Sequence, residues 1–164
     1  MQTEPAYIPF HLHFSDTAFY DCVFQDCRFT TCRFSVSYWK GCRLTGCKGD
    51  GADLRKSRFK SCALEHSLFR YANLTGSVWE HCTLTGCDLT ESAFSEAQIR
   101  KTAFEAVNFT GAELFRTALS GVDLSSCTLD RIVLSENCRE LKGAAISAAQ
   151  AAVVARILGI RVTP

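Results

Sequence analysis

A step of five residues, taken from Phe14 onward, meets Phe14, Phe19, Phe24, Phe29, Phe34, Trp39, Leu44, Gly49, Leu54, Phe59, Leu64, Phe69, Leu74, Trp79, Leu84, Leu89, Phe94, Ile99, Phe104, Phe109, Leu114, Leu119, Leu124, Leu129 and Leu134. Only Gly49 among them is not large and apolar. An amphipathic helix shows its apolar face every 3.6 residues and a half-buried strand every second residue, so neither produces a strict period of five. The pattern therefore predicts a repeat architecture running from residue 12 to residue 136, in which each unit is too small to bury its own apolar face and must stack on its neighbours.

Within each unit two slots face inward and three outward. The second inward slot lies two residues before the large one and holds a small residue. Cys22, Cys27, Cys32, Cys42, Cys47, Cys62, Cys82, Cys87 and Cys127 all occupy it, and only Cys138 of the ten cysteines is out of register. Elsewhere the slot holds mostly Ala, Ser and Thr, so it selects small residues that tolerate burial, and a free cysteine fits. There is no Cys-x2-Cys and no paired histidine, which argues against a zinc site. Unpaired thiols in such number point to a reducing compartment, and the cytoplasm is the expected location. Seven of the ten glycines (Gly41, Gly46, Gly51, Gly76, Gly86, Gly111, Gly121) take the last slot of a unit, where a corner needing positive φ would put them.

One unit breaks the rule. Cys47-Lys48-Gly49-Asp50-Gly51 keeps the count of five but lacks the large residue. Either the slot is empty, in which case Gly49→Leu is tolerated or stabilising, or the five residues loop out of the wall. Cys47 and Gly51 still match their slots, which favours the first.

The flanks differ from the repeat. Residues 1–11 carry Pro5 and Pro9 with Tyr7, Ile8 and Phe10, and are expected to cap the open N-terminal end. The first residues show neither a basic start nor a long apolar run, so no signal peptide is expected, and no stretch is long enough to span a bilayer. Residues 137–164 form a third segment. Ser147 with Gln150 three residues later reads as a capping box, opening a helix from Ala148 to Leu158 that stops at Gly159. Ala151, Val154, Ala155 and Leu158 form one apolar stripe on it, with Val153 and Ile157 beside it. A helix apolar on most of its girth needs cover on more than one face. The expected cover is a second copy of the chain, with Ala151, Val153, Val154, Ala155, Ile157, Leu158 and Ile160 as the interface.

No catalytic constellation is present. His11, His13, His66 and His81 are scattered, the acidic residues are dispersed, and no glycine-rich phosphate loop precedes a helix, so the chain is not expected to be an enzyme and no cofactor is expected. The formal charge of +1 argues against a strongly basic nucleic-acid binder, and no direct nucleic-acid binding is expected.

Units such as Cys82-Thr83-Leu84-Thr85-Gly86 and Ala112-Glu113-Leu114-Phe115-Arg116 resemble those of the pentapeptide-repeat proteins. That resemblance implies an all-β solenoid: a right-handed, four-sided β-helix, here of about six coils, with four units per coil. Residues twenty apart then stack, and Cys22, Cys42, Cys62 and Cys82 form one inward ladder of free thiols. Sorted by side, the second carries Lys40, Arg58, Lys60, Arg100 and Lys101 against Asp21 and Glu80, and the third carries Asp26, Glu65, Glu105 and Asp123 against Arg43. The stretch from Gln150 to Ile160 resembles the C-terminal helix of the pentapeptide-repeat proteins that protect DNA gyrase from quinolones. What that implies is a homodimeric rod that imitates duplex DNA, with the acidic third side facing the topoisomerase. Such imitation needs a strongly negative surface, and this chain has a net charge of +1. The sequence thus supports a protein-interaction module of unassigned role, with gyrase protection as the alternative.

Overall fold

The computed structural model describes residues 12–163. The expected N-terminal cap over residues 1–11 lies outside them. The chain winds into a four-sided β-solenoid. Ten strands of three residues each appear in pairs: β1 (Ala18–Tyr20) and β2 (Val23–Gln25), β3 (Tyr38–Lys40) and β4 (Arg43–Thr45), β5 (Arg58–Lys60) and β6 (Ala63–Glu65), β7 (Val78–Glu80) and β8 (Thr83–Thr85), and β9 (Gln98–Arg100) and β10 (Ala103–Glu105). The odd strands stack as one parallel sheet and the even strands as another. Register is twenty throughout, as in Phe19↔Trp39 and Leu64↔Leu84. The first and fourth sides are held by single parallel bridges at the same spacing, for instance Arg33↔Asp53 and Lys48↔Leu68.

The two kinds of side differ in their corners. On the first and fourth sides the chain folds into tight turns closed by a hydrogen bond three residues on, such as Ser37 N–H to the Phe34 carbonyl and Cys32 N–H to that of Phe29. The third residue of each turn has positive φ, the type II requirement. Strands form where the corners are more open. In the last coil the second and third sides also close tightly, Val122 N–H onto the Leu119 carbonyl and Cys127 N–H onto that of Leu124. Regular pairing therefore joins five strands on each sheet, through four coil-to-coil steps, against the expected six coils, and isolated bridges carry the stack onward.

Glycine marks only some of the corners. Asp21, Val36, Lys56, Tyr71, Glu91 and Arg116 also adopt φ between 52° and 61°. Each such residue bears a steric cost of about 1 kcal/mol or more, offset by the bond its N–H makes: to a carbonyl of the next coil, as from Val36 to Arg55 at 2.8 Å, or, for Arg116, to the Glu140 carboxylate.

The core is one continuous column of the large slots. The second side stacks Phe19 on Trp39 and Phe59 on Trp79, with ring centroids 4.2 and 4.1 Å apart. Both tryptophans are buried, and each indole N–H donates to a serine two residues back: Trp39 to Ser37 Oγ at 2.7 Å, Trp79 to Ser77 Oγ at 2.8 Å. An apolar void of about 20 Å³ lies along this column. Its lining is wholly apolar and offers a water no partner, so it stays dry.

Residues 47–51 stay in the wall: Lys48 bridges Arg28 below and Leu68 above. The slot at Gly49 is nevertheless not empty. The Phe69 ring leans into it, so that a Cβ on Gly49 would fall 2.3 Å from Phe69 Cε1. The expectation that Gly49→Leu is tolerated is therefore corrected.

After Leu134 the ladder does not stop. Leu119 N–H donates to the Glu140 carbonyl and Leu124 N–H to the Ala145 carbonyl, both at a separation of 21 where the wall uses 19. Two extra residues are absorbed around a short 3-10 turn, Arg139–Leu141. The chain then enters α1 (Ala148–Ile157), whose capping box is formed in both directions between Ser147 and Gln150. Leu158 is its C-cap, and Gly159 follows with φ 74°, as its position in the sequence implies.

Candidate interaction surfaces

With the large slots filled inward, chemistry is confined to the outward slots, the corners and the two ends. The second side is a five-stranded parallel sheet. Its register sets Tyr20, Lys40, Lys60, Glu80 and Arg100 in one outward row and Ala18, Tyr38, Arg58, Val78 and Gln98 in another. Three Lys/Arg–carboxylate pairs form among the described residues: Arg55 with Asp53, Arg70 with Asp50, and Arg116 with Glu96. None uses a cation of the second side. On the first side, the Arg55 guanidinium hydrogen-bonds Asp53 and holds its carboxyl below the usual range.

The third side places the four acidic candidates apart. Glu65 and Glu105 share an outward row with Thr85 between them. Asp26 occupies a corner of the first coil, with φ 53°. Asp123 lies in the last coil, where hydrogen bonds from Ser125 lower its pKa. Thr45 donates to Glu65 at 3.4 Å. The side carries separated carboxylates rather than a continuous negative strip.

In the small slots Cys42, Cys62 and Cys82 are buried, and Cys22, at the first coil, is half-buried. All ten cysteines are free. The thiols of Cys42, Cys62 and Cys82 donate to the carbonyls of Phe19, Trp39 and Phe59 in the preceding coil, each at 3.4 Å. Ser57 and Thr117 make the same bond to Phe34 and Phe94, at 2.7 and 2.6 Å. The slot thus favours a small donor as well as a small volume, which is why Cys, Ser and Thr recur in it. Burial pushes Cys42, Cys47 and Cys87 up to about 11, and they remain protonated at neutral pH.

At the C-terminal end two polar side chains do what the repeat does elsewhere. The buried Glu140 carboxylate accepts from Arg116 N–H at 3.0 Å and from Ser135 N–H and Oγ at 3.2 and 2.7 Å. Burial acts to raise its pKa, but these hydrogen bonds prevail and hold it low. Gln150 Nε2 donates to the Leu124 and Cys127 carbonyls at 2.8 and 2.6 Å, closing the open top of the third side. The sequence marked Gln150 only as a capping-box partner, and nothing in it marked Glu140.

Of the residues expected at a dimer interface, Ile157 packs against the core. Val153, Val154 and Ala155 are half-buried and Ala151 is exposed. Leu158, Ile160 and Val162 are exposed in succession. Among the described residues no helix is long and apolar enough to cross a membrane, and no group of His, Cys, Asp and Glu is placed to hold a metal ion. His66 and His81 occupy corners of different sides.

The family model for pentapeptide repeats matches residues 67–105 and 94–131, in eight copies. No curated protein matches the chain in sequence. Among solved structures, the chain is similar to full-length QnrB1, a plasmid-mediated fluoroquinolone resistance protein, with 19% identity over 92% of this chain and 87% of that one and a TM-score of 0.45. It is also similar to a pentapeptide repeat protein from the thylakoid lumen of Arabidopsis thaliana (20% identity, 60% of this chain and 66% of that one, TM-score 0.47). A third is Rfr23 from the cyanobacterium Cyanothece 51142 (18% identity, 79% and 91%, TM-score 0.38).

Proposed function

We propose that this pentapeptide-repeat protein is a non-enzymatic rod that works through its outward faces as a protein-interaction module. One observation carries the reading. Among the described residues the interior is a packed apolar column, so the side chains free to act are those on the walls, corners and ends. A solenoid of this kind presents an extended, rigid surface whose outward residues change without disturbing the core.

The chain pairs with a second copy through the exposed end of α1. Leu158, Ile160 and Val162 form an apolar strip of the kind a soluble monomer seldom leaves bare. Truncation after Ala145, which keeps every ladder bond of the last coil, is expected to turn a dimer into a monomer in light scattering. A monomeric full-length chain at micromolar concentration would rule the pairing out.

The interaction reading is tested by cross-linking the purified rod in extract and repeating the capture with charge reversals made one side at a time. Loss of a captured protein on reversal of a single side supports it. Capture indifferent to all four sides sinks it. DNA gyrase is the named alternative partner: if it is the target, the rod relieves drug-inhibited supercoiling by the purified enzyme, and reversal of Glu65 and Glu105 abolishes the relief.

A further inference from the structure

The second side is not uniform along the rod. In the second and third coils it gathers Lys40, Arg58 and Lys60, and the corner residue Lys56 borders them. Lys40 and Lys60 are direct lateral neighbours, as are Tyr38 and Arg58. None of the four cations has an ion-pair partner among the described residues. Side by side at the inter-strand spacing of about 4.8 Å, like charges repel. Core packing does not require them, because every one points outward.

Aromatic and apolar groups lie directly against this cluster. Tyr20 is 58% exposed and meets the Tyr38 ring edge-on at 5.8 Å. Val36, at the corner leading into β3, is 53% exposed with φ 61°. A β-branched residue in the left-handed region is a steric outlier. Gly76 occupies the same corner two coils up and adopts φ 68° without that penalty. Glycine would make the same ladder bond that Val36 N–H makes to Arg55, so the exposed valine side chain adds strain and no core packing, and strained residues gather where a surface is used.

We infer that this patch (Tyr20, Val36, Tyr38, Lys40, Arg58 and Lys60) docks an acidic stretch of a partner protein that also carries apolar side chains. The inference rests on the reading of the rod as an interaction module. Charge sets the class of partner: unpaired cations ask for carboxylates, while Val36 and the tyrosines ask for apolar or aromatic contact. The extent favours peptide over nucleic acid. The cations span two rungs, and Asp21 below and Glu80 above bracket them. A polyanion would run onto those carboxylates and onto the acidic third side, whereas a few residues of extended acidic chain fit between them.

The test uses the full chain and fluorescence anisotropy with a labelled twelve-residue peptide of repeating Glu-Glu-Phe, beside a labelled single-stranded oligodeoxynucleotide of equal charge. The peptide is expected to bind, more weakly as salt rises, and the triple reversal Lys40→Glu, Arg58→Glu, Lys60→Glu to weaken it at least about tenfold. Val36→Gly is expected to weaken peptide binding while leaving thermal stability equal or higher, a combination that a purely structural valine does not give. Reversal of Arg100 and Lys101, higher on the same side, should leave binding unchanged. Tighter binding of the oligonucleotide, no binding of the peptide, or equal loss on reversing Arg100 and Lys101 overturns the inference. In each of those cases side-dependent capture in extract would still stand, so the interaction reading and the inference fail separately.

Discussion

The wall between Phe34 and Phe109 and the closure between residues 137 and 158 face the same requirement, since every buried backbone group needs a partner. They meet it by different means. In the wall each coil supplies the next with ladder bonds at a constant separation, and the small slot adds a Cys, Ser or Thr donor where a core carbonyl needs one. At the closure there is no further coil. There the separation slips by two residues, and single side chains take over: Glu140 for the N–H groups of Arg116 and Ser135, Gln150 for the Leu124 and Cys127 carbonyls. A periodic solution tolerates variation at any one outward position. A solution made of individual side chains depends on each of them.

The largest effect should come from the wall. Trp79→Ala removes a fully buried indole from between Phe59 and Phe94 and is expected to cost about 3–5 kcal/mol in denaturant unfolding. A loss under about 1 kcal/mol would mean that the column repacks freely and that the wall is less specific than its stacking implies.

Gly49→Leu should follow. The new side chain competes with the Phe69 ring for one space, and overpacking of this kind typically costs about 1–3 kcal/mol. The double variant Gly49→Leu, Phe69→Ala is expected to recover part of the loss. An unchanged single variant would show that Phe69 can withdraw without penalty.

Glu140→Ala should cost a similar or smaller amount, about 1–3 kcal/mol, because buried N–H groups lose their acceptor. It also carries a pH signature. The folded carboxyl titrates below its ordinary value, so the stabilisation it brings is fully present above the unfolded pKa of about 4.3 and is lost as pH falls through the folded value. Wild type should therefore lose stability below pH ~4 more steeply than the variant. Parallel acid profiles would contradict the role given to this residue.

Gln150→Leu comes last, expected at about 1–3 kcal/mol, since two buried carbonyls lose their donor and Ser147 N–H its capping-box acceptor. Fraying of α1, read by circular dichroism, should exceed the change in the midpoint of global unfolding.

The same contrast explains what could be read from the sequence. The wall was legible because one physical demand recurs in every unit: a large residue in, a small one two before it, and a permissive corner. The corners occupied by Val36, Lys56 or Tyr71 were hidden, since only glycine advertises positive φ and a ladder bond elsewhere offsets the cost for the others. Phe69 filling the slot at Gly49 was hidden because it depends on how one ring leans, not on which residues are present. Ser37 and Ser77 looked like small slot-fillers until the tryptophan N–H groups were placed against them. Gln150 was legible as the capping-box partner of Ser147 but not as the cover of the third side, and Glu140 gave no sign of its role, because the Arg116, Leu124 and Cys127 groups they bind are backbone atoms 23 to 26 residues away. The outward patch on the second side was half visible. Charges sorted by side picked out Lys40, Arg58 and Lys60, but the strained, exposed Val36 beside them needed coordinates.

Amide hydrogen exchange followed by mass spectrometry, on wild type and on Glu140→Ala, tests most directly whether wall and closure are stabilised separately. In a stack coupled only between neighbouring coils, the variant should lose protection from residue 114 to the end of α1 and keep wild-type protection between residues 34 and 84. Uniform loss of protection along the whole rod would contradict the account, because it would make the closure, and not the repeating ladder, the source of the wall's stability.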